Sequence, residues 1–449
     1  MFQALLTSRP SIVALIFLTL MLPLSWVSDL IDERQGFRAE AVADVSRSWT
    51  GAQTFVGPVV VVRYRVHGTR SEWSEQLGRA VERPVTTTHC AFLALADVAI
   101  EGDVRTELRY RGLHGVPVYT ASLAISGRWS PDALPDRLAE PLEDVEVDDA
   151  YLWFWAADQR GFADFPAVRW RGDALDAEPG GHGALGGTGV RVTLPIESLR
   201  DAADLEASLT LRGASVLGML PAGETTRVDL AADWAHPRFT GRFLPETREV
   251  DERGFRATWR NTVLASNVVR DLARCAVGHC DEVRAAHFAV ELIEPVNEYS
   301  LADRAVKYAL LFILIVFCGV LFTELARALE VHPLQYGLIG AAMAVFYLLL
   351  LSLSEHLAFG LAYAIAALLC SVLLAWYGAA VLRSVRDGGL LGAGVGALYG
   401  VLYVILQAED VALLMGTALI FVVLAGLMAV TRDPERLAAF RLSRRAEDV

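Results

Sequence analysis

Five long apolar runs with very short joints fill the last third of the chain, and no water-soluble fold accommodates that pattern. They lie at about residues 306–326, 334–353, 357–382, 389–406 and 411–430. An α-helix rising 1.5 Å per residue needs about 20 residues to cross a hydrocarbon core, and each run is close to that length. The joints at 327–332, 354–356, 383–388 and 407–410 are so short that successive spans must run antiparallel. A further uncharged run, 11–27, stands near the start. Asp29, Asp32 and Glu33 follow it, and the nearest small-x-small site, Ala41-Val42-Ala43, comes too late for signal-peptide cleavage. The run reads as an uncleaved anchor, which makes six spans.

Composition matters because it is uneven. The chain is 54% hydrophobic, with a net charge of −13. Residues 28–305 hold 30 basic and 43 acidic groups, so the whole acidic excess lies between the first and second spans. That block reads as a separate, water-facing domain. Its acidity argues against a nucleic-acid binder and against docking on anionic lipid by charge. One lysine, Lys307, stands against 39 arginines, so neither a P-loop nor a kinase-type lysine site can be assembled.

Orientation follows from the arginines. With the N-terminus in the cytoplasm, the inner segments carry Arg9, Arg327, Arg383, Arg386 and five arginines of the tail. The outer turns 354–356 and 407–410 carry no Lys or Arg, the split that the positive-inside rule predicts. Pro333 suits the first turn of a helix. The expected architecture is a polytopic α-helical membrane protein of six transmembrane helices, with a large β-rich extracytoplasmic domain between helices 1 and 2. Its segments are a cytoplasmic N-terminus (1–10), helix 1 (11–27), the β-rich domain (28–305), a five-helix bundle (306–430) and a basic cytoplasmic tail (431–449).

Within the exported block, 29–45 has high helix propensity and continues the first span as a stalk. Period-two patterning then predicts strands at 56–66, 106–110, 116–127 and 190–194. The interval 173–189 (DALDAEPGGHGALGGTG) reads as a flexible loop or lobe boundary. Its formal G-x-G-x-x-G at Gly181, Gly183 and Gly186 is rejected as a cofactor site, because no strand precedes it. Cys90, Cys275 and Cys280 lie in this block, and Cys275 with Cys280 could close a local disulfide; unpaired thiols are the alternative. A zinc site through His279 lacks a second ligand pair. Cys318 and Cys370 fall inside spans as small apolar residues.

No H-E-x-x-H, G-x-S-x-G or S-x-x-K occurs in the soluble part. No catalytic, cofactor or metal residue is therefore assigned. Glu324 and Lys307 sit at opposite ends of the second span as interfacial groups. Ser354, Glu355 and His356 cluster at one outer turn, and Glu409 and Asp410 at the other. Together they form a candidate proton-responsive or cation-accepting site, since a carboxylate beside a histidine raises its pKa; polar hairpin turns are the plainer reading. Gly392 and Gly396 satisfy G-x-x-x-G and predict close helix packing, within the bundle or between copies in a homo-oligomer.

Several of these stretches are familiar. RAVKYA (304–309), HPLQYG (332–337), FYLLLLSLSEH (346–356) and LYGVLYVILQAED (398–410) resemble the CreD family of bacterial inner membrane proteins. So do GPVVVV (57–62), RYRGL (109–113) with the following Val118-Tyr119, and FLPE (243–246). The segment 274–282 looks unlike the family pattern. The resemblance implies a protein of the bacterial inner membrane, in keeping with the multi-pass topology and the cytoplasmic termini read from the arginines. It also implies a role in envelope integrity and envelope stress, tied to cell-wall damage and tolerance of certain colicins, with no established catalysis. The expected partners are the bilayer and an envelope protein or glycan bound by the periplasmic domain. An ion- or proton-coupled transporter or flippase-like protein is the alternative.

Overall fold

The computed structural model describes residues 9–74, 79–131, 145–187, 189–275, 283, 286–293, 298–326, 329–408 and 412–431. It divides into two compact units, one made of 1–38 with 296–449 and the other of 39–295.

The first unit is helical. Its helices are α1 (Arg9–Thr19), the leading part of α2 (Met21–Ser48), α4 (Glu298–Ala326), α5 (Pro333–Ser354), α6 (Phe359–Val381), α7 (Val385–Gln407) and α8 (Ala412–Thr431). Among the described residues, five helical stretches are long and apolar enough to cross a membrane: Ile12–Ser48, Glu298–Glu324, Pro333–Ser354, Phe359–Val381 and Val385–Gln407. The sixth run of the sequence forms α8, in which the apolar stretch Leu414–Gly426 is shorter. Their inward faces build one core around Phe312, Phe317, Ile339, Phe346, Tyr363 and Leu402. The start of α5 shows why a helix begins there. His332 Nδ1 accepts from the Leu334 N–H at 3.2 Å, Gln335 Oε1 accepts from the His332 N–H at 2.9 Å, and Pro333 needs no partner for its nitrogen.

Close packing of α6 on α7 is sequence-driven. Gly388, Gly392 and Gly396 on α7 face Ala379, Ala375 and Ser371 on α6. A methyl group at Gly392 would lie 2.7 Å from the Ser371 carbonyl oxygen, and one at Gly388 would lie 2.6 Å from the Ala375 carbonyl oxygen. At Gly396 the nearest atom would be 3.4 Å away, an ordinary contact. The small-residue motif therefore operates within the bundle, and its tight pair is Gly388 and Gly392.

The second unit is a β-sandwich. In one eight-stranded sheet the order is β13 (Pro237–Gly241), β16 (Phe288–Leu292), β11 (Val216–Leu220), β1 (Gln53–Ser74), β5 (Val145–Ala156), β9 (Val190–Thr193) and β8 (Ala177–Pro179), and β2 (Arg79–Leu93) also pairs with β1. The other has the order β14 (Thr247–Asp251), β15 (Gly254–Thr262), β12 (Thr225–Ala232), β3 (Asp97–Arg111), β4 (His114–Trp129), β10 (Ala203–Ala214), β6 (Ala167–Trp170) and β7 (Asp173–Leu175). Alternation places Leu205, Ala207, Leu209 and Leu211 of β10 inward and Asp204, Glu206 and Ser208 outward. Both sheets contribute to one core in which Trp129 and Trp259 are fully buried. Trp129 satisfies its ring N–H by donating to the Leu199 carbonyl at 3.0 Å.

The interval 173–189 is not a lobe boundary. It carries β7 and β8, the edge strands of the two sheets, so the chain changes sheet there. The following glycines turn the chain back onto the first sheet. Gly189, at φ +76°, lies so close to the Phe154 carbonyl that a side chain could not fit. Trp155 Nε1 donates to the Gly186 carbonyl at 2.8 Å, and His182 meets the Phe92 ring edge-on at 5.0 Å. Helix α3 (Val268–Cys275) packs its apolar face on the same sheet surface through Val268, Val269 and Leu272.

The end of α2 is held by the sandwich. Arg160 donates to the Arg47 carbonyl at 2.6 Å and to the Ser46 carbonyl at 3.3 Å, putting positive charge where the helix leaves its last carbonyls unpaired. Arg109 stacks 3.7 Å over the Trp49 ring, and Arg111 pairs with Asp44 at 2.9 Å.

Candidate functional site

The turn between α5 and α6 carries Ser354, Glu355 and His356. Ser354 is buried and its hydroxyl donates to the Leu351 carbonyl at 2.9 Å, a bond within its own helix end. Glu355 caps α5 and its carboxylate lies 3.4 Å from Arg34 Nε on α2. His356 is exposed, with its backbone N–H donating to the Leu353 carbonyl at 3.1 Å. The carboxylate therefore turns to a guanidinium of α2. Glu409 and Asp410, the other half of the expected cluster, lie outside the described residues.

Cys275 is disulfide-bonded, whereas Cys90, Cys318 and Cys370 are free thiols. Cys280 and His279 lie outside the described residues. Half-burial pushes the Cys90 thiol up, with Arg63 pulling the other way, so at neutral pH it stays protonated and weakly nucleophilic. Burial likewise holds His182 below the usual histidine range. Tyr151 is pushed up to about 12, chiefly by burial. No group of three or more His, Cys, Asp or Glu is placed to hold a metal among the described residues.

Sequence reasoning missed the polar groups turned into the helical core. Glu324 is only 8% exposed, and it accepts from the Tyr336 hydroxyl at 2.7 Å and from the Val331 N–H at 3.4 Å. It is thus an interhelical tie between α4 and α5 as well as a residue at a span end. A second group joins α5, α6 and α7. Phe346 stacks on Tyr399 with ring centres 4.0 Å apart, Tyr363 donates to the Tyr399 carbonyl at 2.6 Å, and Cys370 Sγ lies 3.4 Å from the Ala342 carbonyl and 3.3 Å from the Tyr399 hydroxyl. The signal that could have found it is tyrosine in mid-run, since interfacial tyrosines belong at span ends. Lys307 pairs with Asp303 one turn away at 2.6 Å.

Apolar helices of spanning length, a polar interhelical seam and a large β-sandwich define a multi-pass membrane protein with a substantial water-facing domain. Residues 6–435 match the family described as inner membrane protein CreD. The chain is also 32% identical over 417 residues to the inner membrane protein CreD of Escherichia coli (strain K12), covering 93% of this chain and 90% of that one. The protein belongs to the CreD family of inner membrane proteins. Among solved structures, an M1 zinc metallopeptidase of Deinococcus radiodurans aligns over 37% of this chain and 39% of its own at 13% identity, with a TM-score of 0.19, a likeness too low to carry any argument.

Proposed function

We propose that this protein supports the integrity of the bacterial cell envelope, with a periplasmic sandwich that binds an envelope component and a bundle of six spans that anchors it. In this reading both termini are cytoplasmic and the protein is not an enzyme. The observation that carries it is the size and order of the β-rich unit, 39–295, inserted in a chain that matches its family almost end to end. A passive anchor or simple pore needs no such domain.

Complementation tests it. A strain lacking the protein is challenged with a wall-active antibiotic or detergent and rescued with wild type or with Glu355→Ala/His356→Ala, at membrane levels matched by immunoblot. Wild type is expected to restore resistance, and its failure would overturn the envelope role. Full rescue by the double variant is expected if the Arg34–Glu355 pair serves only to hold helices together. Loss of rescue at normal abundance would move the weight to a second reading, an ion- or proton-coupled transporter. That reading draws on the buried Glu324–Tyr336 pair, a carboxylate inside an apolar bundle. Proton flux into liposomes reconstituted with the protein would separate the two.

A further inference from the structure

The water-facing side of the second sheet is hollowed along its middle strands. Three cross-strand rows define it. Asp229, Glu101, Ala124, Ser208 and Ala167 lie side by side on β12, β3, β4, β10 and β6. One row along are Ala231, Asp103, Ser122 and Thr210, and on the other side Arg227, Ala99, Ser126, Glu206 and Arg169. A solvated sheet face is ordinarily covered by long side chains. Here, within these rows, the outward positions of β4 and β10 are alanine, serine and threonine except Glu206, so two adjoining hollows of about 920 and 1020 Å³ open over these strands. They share Glu101, Ala124, Phe165, Ala167 and Ser208, so they form one groove running with the strands.

We infer that this groove docks an extended, positively charged polypeptide segment of another envelope protein; the inference deepens the proposed function and rests on its ectodomain-binding reading. Charge is the first argument. The groove is lined by six carboxylates and three guanidinium groups. Asp229 is already engaged, accepting from Arg227 at 2.7 Å and from Thr258 at 2.5 Å. Asp103 pairs with Arg105, and Arg227 also acts on Glu101 at longer range. The side chains of Glu101, Asp164, Asp176 and Glu206 make no hydrogen bond or ion pair with the described residues. A neutral glycan would cover these carboxylates without compensating them, whereas Arg and Lys side chains would pair with them. Shape is the second. The two hollows follow one another along the strands, which suits a chain laid lengthwise over the sheet. Phe165 is the third. It stands 57% exposed on the wall common to both hollows, where it can take the aliphatic stem or the cationic head of a basic side chain.

Fluorescence anisotropy on the full-length protein in detergent micelles tests this, with a short fluorescein-labelled peptide alternating Arg and Thr as the probe. Binding is expected, and it weakens as salt rises. Glu101→Gln/Glu206→Gln lowers affinity about 3- to 10-fold, the effect of two exposed charge pairs. Ser208→Trp fills the floor and abolishes binding. Glu249→Gln/Glu252→Gln removes the same charge outside the groove and leaves binding unchanged. Thermal unfolding of each variant confirms that it is folded. No binding to wild type, undiminished binding to Ser208→Trp, equal loss in the control pair, or binding of a soluble chito-oligosaccharide in place of the peptide would each overturn the groove. Complementation keeps the two levels apart. Wild type that rescues but does not bind the peptide sinks the groove alone, and wild type that fails to rescue sinks the envelope role.

Discussion

The two units of this chain solve the same problem, where to put polar groups, in opposite ways. In the sandwich the ionic side chains face outward and pair on the surface, as Arg65 does with Asp148 at 2.7 Å and Arg191 with Glu178 at 2.8 Å, while the core between the sheets is almost wholly apolar. In the helical unit the outward faces carry leucine, valine and phenylalanine, and hydroxyl, thiol and carboxyl groups turn inward. The difference teaches which solvent each surface was selected for. Water rewards exposed charge and drives apolar groups together, whereas lipid offers no such drive between helices and leaves close packing and internal hydrogen bonds to hold the bundle.

Variants can break this contrast at graded cost. The largest loss is expected from Trp129→Ala, which empties a fully buried site between the sheets and should cost about 3–5 kcal/mol. Denaturant unfolding of the full-length protein, followed by tryptophan fluorescence, measures it; a loss below about 1 kcal/mol would mean that the sandwich is not held by its apolar core. Gly392→Leu comes next. It drives a side chain into the Ser371 carbonyl and should cost about 1–3 kcal/mol, whereas Gly396→Leu should be clearly milder. Folded yield and detergent melting temperature read both, and equal effects would show that the glycine pair is not a close-packing device.

Tyr336→Phe is a smaller change. It removes the hydroxyl that Glu324 accepts from inside the bundle and leaves the carboxylate under-satisfied, at about 1–3 kcal/mol. The same hydroxyl deletion at the exposed Tyr110 should fall within about 0.5 kcal/mol, and parity between the two would erase the distinction between lipid-side and water-side polar groups. The smallest effect concerns acid. The guanidinium groups of Arg160 and Arg227 hold Asp158 and Asp229 below the usual carboxylate range. The stabilisation from such depressed groups is complete above the unfolded value near 3.9 and is lost as pH falls through the folded values. Both carboxylates are partly solvated, so the gain is modest. Arg227→Leu should therefore lower stability slightly at neutral pH and flatten the decline below about pH 4. A decline as steep as in wild type would remove Asp229 from the account.

Much of the fold was legible, for reasons particular residues make plain. Apolar runs with short polar joints mark helices wherever they occur, and the signal at His332-Pro333 proved to be a reciprocal cap with Gln335. Outward-facing alternation was readable in β4, and equally in Asp204 to Leu211, where the sequence expectation stopped short of a strand. What local pattern cannot carry is partnership across distance. Nothing near residue 173 says that a glycine-rich stretch will close the edges of two sheets. Nothing near Glu355 says that its carboxylate will meet Arg34, more than three hundred residues away in sequence. The hollow over β4 and β10 is likewise invisible until five strands are aligned, since each strand alone contributes only one to three small residues.

The placement of β7 and β8 has a consequence for how the sandwich fails. One short stretch of backbone covers the flank of β6 in one sheet and of β9 in the other. A single protease cut near Asp176 would loosen both covers together, baring two rows of unpaired amide and carbonyl groups on one molecule. Two open templates on one particle can recruit strands in two directions, so a nicked chain would be a branching seed for aggregation and not merely a weakened monomer.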